Sequence, residues 1–140
     1  MRKENKERIF PRVEVGIIIM CRGGIVLIRK NNKNNWCIPR VYVNLGERVE
    51  DALERCALEC LKGGIEDLKL FGTYSRIEDG DKCQIISIIY SGKCKVVKGD
   101  ISEIENRADK IKIFSREEID NTNLVLYDEE VLLDYIKRGM

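Results

Sequence analysis

GERVEDALERCALECLKGG, residues 46–64, is the stretch on which the reading of this chain turns. Its interior is rich in Ala, Leu and Glu, which favour helix, and Gly63-Gly64 is a strong stop. Asn44 and Glu47 have the spacing of a capping box, so the helix is expected to begin at Asn44 or Gly46. At about 100° per residue, Val49, Ala52, Leu53, Cys56, Ala57, Cys60 and Leu61 fall on one apolar arc. Glu59 lies at the edge of that arc. Cys56, Glu59 and Cys60 stand at i, i+3 and i+4, so one helix face presents two thiols around one carboxylate.

On either side of this helix the pattern changes to strands. Val13 to Cys21 (VEVGIIIMC) is apolar at nearly every position, as in a strand covered on both faces. Arg22-Gly23-Gly24 reads as a tight turn into a second strand, Ile25 to Arg29. A polar NNKNN loop and the apolar piece Trp36-Cys37-Ile38-Pro39 lead to the helix, and Trp36 is expected to be a core anchor. Beyond the helix, Leu68 to Arg76 and Gln84 to Tyr90 read as strands around the turn EDGDK, and Lys93 to Val97 extends the meander. Residues 98–109 read as a polar loop, and Lys110 to Phe114 as a further strand. Ser115 is placed to cap a short helix, and Asp128 to Arg138 has amphipathic helical spacing. Strands, helix, strands, helix is the order of an α/β or α+β sandwich, and 140 residues suffice for one domain with a real core. Residues 1–10 read as a flexible polar segment.

The composition narrows the chemistry. There is no histidine, which removes Ser-His-Asp and Cys-His catalysis and every histidine metal site. Net charge is +1, so no global field favours nucleic acid or an anionic membrane. The N-terminal MRKENKERIFP has no apolar signal core and no apolar run reaches spanning length, so the expected location is the cytoplasm. There the six cysteines are expected to be reduced, with Cys21, Cys37 and Cys83 as small buried hydrophobes.

The element order and the central helix resemble the Nudix (MutT-like) hydrolase superfamily. The family signature is G-x5-E-x7-R-E-U-x-E-E-x-G-U, with U aliphatic, after a W-x-L-P-G-G approach. Trp36-Cys37-Ile38-Pro39 matches the approach, Glu47 the first glutamate, Arg55 the arginine, Ala57 the aliphatic position and Glu59 the middle glutamate. Arg40 and Val41 stand where the family has its glycine pair. Cys56 and Cys60 replace two of the three helix glutamates, and Lys62 replaces the closing glycine.

The resemblance implies an α/β/α sandwich with a mixed β-sheet and a single Nudix-like domain over residues 1–140. It also implies hydrolysis of a nucleoside diphosphate-linked substrate with Mg²⁺ or Mn²⁺ as cofactor, and a homodimer is common in the family. Glu59 and Glu47 would be the catalytic and metal-binding acids, Arg55 the residue that orients them, and Arg40 a phosphate contact at the mouth of the pocket. The departures fall on the chemistry. Mg²⁺ and Mn²⁺ prefer oxygen donors, and a thiol near its ordinary pKa is mostly protonated at neutral pH. Three readings stay open. Cys56 and Cys60 have become packing surface, which leaves a degenerate active site and a nucleotide-binding or regulatory protein. They bind a soft metal such as Zn²⁺. Or hydrolysis survives through Glu59, Glu47 and a loop acid, Glu103 or Glu105.

Overall fold

The computed structural model describes residues 10–30, 33–61, 64–78, 80, 83–95 and 110–139. Six strands and three helices alternate along them: β1 (Arg12–Cys21), β2 (Gly24–Arg29), β3 (Arg40–Tyr42), α1 (Val49–Cys60), β4 (Ile65–Glu78), β5 (Cys83–Cys94), β6 (Lys110–Phe114), α2 (Arg116–Asp120) and α3 (Leu126–Lys137). The strands form one mixed sheet in the order β4-β5-β1-β2-β6, with β3 paired to β1. β1 runs parallel to β5, from Arg12 opposite Ile85 to Met20 opposite Lys93, and antiparallel to β2 and β3.

The hairpin between β1 and β2 follows from its turn. Cys21 pairs with Gly24, and the two residues between them, Arg22 and Gly23, both have positive φ, 53° and 81°. That is the primed turn whose twist matches the flanking strands. Gly24 is required for a different reason: a Cβ there would lie 2.6 Å from the Phe114 carbonyl oxygen of β6.

Alternation along β1 sends its side chains to two separate cores. Ile17, Ile19 and Cys21 pack with Leu53, Cys56, Ala57 and Cys60 of α1. Ile18 packs with Ile38, Ile89 and Phe114 beneath Ile119 of α2 and Val131 and Leu132 of α3. This is the expected α/β/α sandwich. Trp36 meets Phe114 edge-on with ring centroids 4.8 Å apart, as a core anchor should. α1 depends on its packing. Its N-cap, Arg48, makes no side-chain cap bond, and 12 residues are too few for a stable isolated helix.

Several boundaries shift from the sequence reading. α1 begins at Val49, because Asn44 and Glu47 close a turn ahead of the helix: the Glu47 amide donates to the Asn44 carbonyl at 2.9 Å, and the Asn44 amide to the Glu47 carboxylate at 2.9 Å. β4 and β5 are longer than expected, and β5 continues unbroken to Cys94, since pairing with both β4 and β1 carries it past Tyr90. α3 begins at Leu126, two residues ahead of Asp128. The Ser115 cap of α2 is a complete capping box with Glu118. The loop acids Glu103 and Glu105, the whole loop over 98–109 and residues 1–9 of the N-terminal segment lie outside the described residues.

One expectation about the cysteines is overturned. Cys21 and Cys94 form a disulfide across 73 residues, with Cα atoms 5.3 Å apart. Both stand one step beyond the Met20–Lys93 pair of the parallel ladder, which places their side chains next to each other on the α1 side of the sheet. Cys37, Cys56, Cys60 and Cys83 form no disulfide. No helix among the described residues is long and apolar enough to cross a membrane.

Candidate functional site

The α1 face is where the resemblance puts the chemistry. Arg55 bridges the loop and the helix. Its Nε and Nη2 donate to the two Glu47 carboxylate oxygens at 3.1 and 3.0 Å, and Nη2 also donates to the Tyr42 carbonyl at 2.8 Å. This fork holds Glu47 ionised, with its carboxyl below the usual range. Glu59 projects outward with its side chain 58% exposed, and its carboxylate is 3.9 Å from Arg55 Nη1.

Cys56 and Cys60 point the other way. They are 1% and 7% exposed, and both belong to the core cluster with Leu53, Ala57 and Ile19. The hydrogen bond with Cys60, followed by burial, pushes the Cys56 thiol far above the ordinary thiol range. A protonated, buried thiol donates nothing useful to a hard cation. Glu47 is taken by the Arg55 fork, and Glu59 lies near the same guanidinium. Among the described residues no three Cys, Asp or Glu side chains are grouped to hold a metal ion. The donor set on α1 does not fit Mg²⁺ or Mn²⁺, and two buried thiols with no further ligand grouped beside them among the described residues do not make a zinc site.

The buried charge lies on the opposite face. Glu14, in the apolar run of β1, is 2% exposed, and Asp128, in the first turn of α3, is 0% exposed. Arg76 of β4 donates to Glu14 at 2.9 Å and to Glu78 at 2.6 Å, and Ser87 of β5 also donates to Glu14. Asp128 accepts from the Ile38 amide at 2.9 Å and from Arg40 Nη2. Arg40 links the two acids, since its Nη1 lies 3.4 Å from Glu14. The Tyr127 ring sits between the cations, 3.7 Å from the Arg76 guanidinium and 4.6 Å from that of Arg40. Two acids thus meet two arginines in a low-dielectric site. A cavity of about 30 Å³ adjoins them, the size of one water molecule.

Burial pushes Glu14 up, but the Arg76 hydrogen bond, Arg40 and Ser87 together outweigh it and leave its carboxyl below the usual range. For Asp128 burial prevails over Arg40 and the Ile38 amide, and its carboxyl stands above the usual range.

The site residues expected from the sequence are therefore divided between the faces. Glu47, Arg55 and Glu59 share the outer side of α1. Arg40 was expected at the pocket mouth as a phosphate contact. Its side chain lies instead on the α3 side of the sheet, 13% exposed and tied to Asp128 and Glu14. The cause is register: Arg40 pairs with Gly16, which alternates along β1 with Glu14 and Ile18 on the α3 side of the sheet. Sequence reasoning missed Glu14, Arg76, Tyr127 and Asp128. Only Glu14 carried a visible signal, as a lone acid in an otherwise apolar strand.

No protein-family model and no curated protein sequence matches the chain. Solved structures do match over most of its length. A NUDIX hydrolase from Nitrosomonas europaea is 18% identical with a TM-score of 0.71, the match covering 91% of this chain and 90% of that one. A mutT/nudix family protein from Listeria innocua is 20% identical with a TM-score of 0.72, covering 92% and 94%. The NUDIX domain of Shewanella oneidensis NrtR, complexed with ADP ribose, is 10% identical with a TM-score of 0.73, covering 94% and 90%. At these identities the likeness is one of architecture: the mixed sheet between α1 and the C-terminal helices is the Nudix hydrolase fold, and this chain has that fold.

Proposed function

We propose that this Nudix-fold protein binds a nucleoside diphosphate-type ligand without the family's metal-dependent hydrolysis. The observation that carries this reading is the burial of Cys56 and Cys60. Two of the three helix positions that would hold cations are packed into the core, which leaves Glu59 as the one carboxylate of that triplet. The ligand class is supported by the fold and by the ADP ribose bound to one of the similar structures.

The second reading, hydrolysis, draws on the exposure of Glu59 and on the nearby Glu47–Arg55 pair. One assay separates the two. Purified protein is incubated with ADP ribose and Mg²⁺ or Mn²⁺, and both binding and product formation are followed. The binding reading expects a saturable calorimetric signal without metal and no AMP release above background. Metal-dependent AMP release that disappears in Glu59→Gln establishes the hydrolase instead. Absence of any binding by ADP ribose or related diphosphates removes the proposed ligand class.

A further inference from the structure

A second recess lies far along the sheet from the buried charge cluster, on the same face, where the end of α3 approaches β4 and β5. The edge strand β4 makes it. Its pairing with β5 slips twice in seven residues, between Glu66 and Lys69 and again between Leu70 and Gly72. Each slip inserts one extra residue, and Asp67 takes a positive φ of 58° within the first. Paired bulges bend an edge strand away from its layer. Here the bend leaves a cleft of about 400 Å³ between β4 and the last turn of α3, within the range of small-ligand sites.

The lining has two chemically distinct parts. Lys69, Lys93 and Arg138 bring three cations to the rim, against one lining acid, Asp67. Lys69 and Lys93 pair with no acid among the described residues. Glu66, opposite Lys93 in the ladder, makes no ion pair with it. The second part is aromatic. Phe71 and Tyr135 pack edge-to-face with centroids 5.5 Å apart, and the Arg138 guanidinium lies 4.4 Å above the Phe71 ring. Arg138 is held there by its bond to the Phe71 carbonyl at 3.2 Å. The polar floor is Ser91, beside Gly92.

From this pairing of unmatched cations with an aromatic wall, we propose that the cleft binds a small phosphorylated molecule bearing a planar ring, such as a nucleoside phosphate. The lysines take the anion at the rim, and the ring lies against Phe71, Tyr135 and the stacked arginine. Nothing in this proposal depends on the chemistry of α1, so it stands or falls apart from the reading above.

The test is a titration of isotope-labelled full-length protein followed by amide chemical shifts. The probes are adenosine monophosphate, adenosine alone and inorganic phosphate alone. The nucleotide is expected to shift Ser91, Gly92, Lys93 and Tyr135 in a saturable way, more tightly than either fragment, and less tightly as salt is raised. Lys69→Glu should weaken binding about fivefold or more, and Lys33→Glu, a surface lysine outside the cleft, should leave it unchanged. Lys93→Gln and the salt series on the unmodified protein serve if Lys69→Glu does not fold. The proposal is overturned by no saturable shift up to about 10 mM nucleotide, by shifts centred on Glu59 or Tyr127 instead, or by equal affinity for inorganic phosphate alone.

Discussion

The two faces of the sheet are built from opposite chemistry. Under α1 the core is dry and sulfur-rich, with Cys21, Cys56 and Cys60 in one cluster and Cys37 and Cys94 packed against it. Under α3 the apolar core is interrupted by Glu14, Arg40, Arg76 and Asp128, four charged groups with little access to solvent. Each of the two long helices carries four acids; α1 places all of its own in water, whereas α3 buries Asp128. Charge along a chain is thus a poor guide to charge inside a fold. What matters is which face a position occupies and what lies across from it.

The largest effect should come from breaking the charged face. Asp128→Ala leaves the Arg40 guanidinium buried beside a vacant position, and urea unfolding should show a loss of about 3–5 kcal/mol. Replacing both Arg40 and Asp128 by Leu should recover much of that loss, because no uncompensated charge remains. A single variant with unchanged stability would show that the cluster is open to solvent.

Next in size is the covalent tie on the α1 side. Opening the Cys21–Cys94 bond frees a 73-residue loop in the unfolded chain, and loop entropy makes that worth about 4 kcal/mol. Unfolding midpoints with and without reductant should differ accordingly. The Cys21→Ala/Cys94→Ala protein should start lower and ignore reductant. A midpoint for the unmodified protein that ignores reductant would refute the tie.

Cys56→Ser probes the dry side in a smaller way. The hydroxyl enters a site lined by Leu53 and Ala57 and should cost about 1–3 kcal/mol. In the native protein Cys56 and Cys60 should label slowly with a thiol reagent and half-buried Cys83 faster, which mass spectrometry resolves by peptide. Fast native labelling of Cys56 would return it to the surface and reopen its role as a ligand.

The gentlest perturbation is pH. Glu14 stands below its ordinary value of 4.5 when folded, so its stabilisation is complete above that pH and is lost as pH falls through the folded value. Asp128 has the opposite sign. It stands above its ordinary 3.8, so its contribution is fullest below that pH and declines as pH rises through the folded value. Glu14→Gln should therefore flatten the acid loss of stability. The flattening is partial, since Glu47 and Glu118 are also lowered and remain. An unaltered acid profile in Glu14→Gln would remove Glu14 from the ion cluster.

The architecture was legible where signals are local. Continuous apolar runs gave β1 and β5, the Arg22-Gly23 turn gave the first hairpin, and the helical wheel gave the buried arc of α1 including both thiols. The disulfide and the ion cluster were not legible, because their members are far apart in the chain. Arg40 and Asp128 are separated by 88 positions, and Glu14 and Ser87 by 73. Arg40 was misplaced for the same reason: without the β1–β3 register, nothing assigns its side chain to one face. That placement also limits which substitutions toward the family signature the fold can accept. Returning glycine to position 40 would strip both buried acids of a cation, so only the thiols on α1 can be exchanged for carboxylates without disturbing the far side.

The parallel pairing of β1 with β5 has a consequence for how the chain comes to be folded. β1 is made early, yet one of its edges finds its partner only when residues 85–93 have followed it. Until then the Ile17-Ile18-Ile19 run can close with β2 and β3 alone, one flank bare to any passing strand. Long-range parallel contacts of this kind form slowly, because the intervening loop must be closed before they repay its entropy. A nascent chain that ends anywhere between α1 and β5 therefore leaves that apolar flank of β1 without its partner strand.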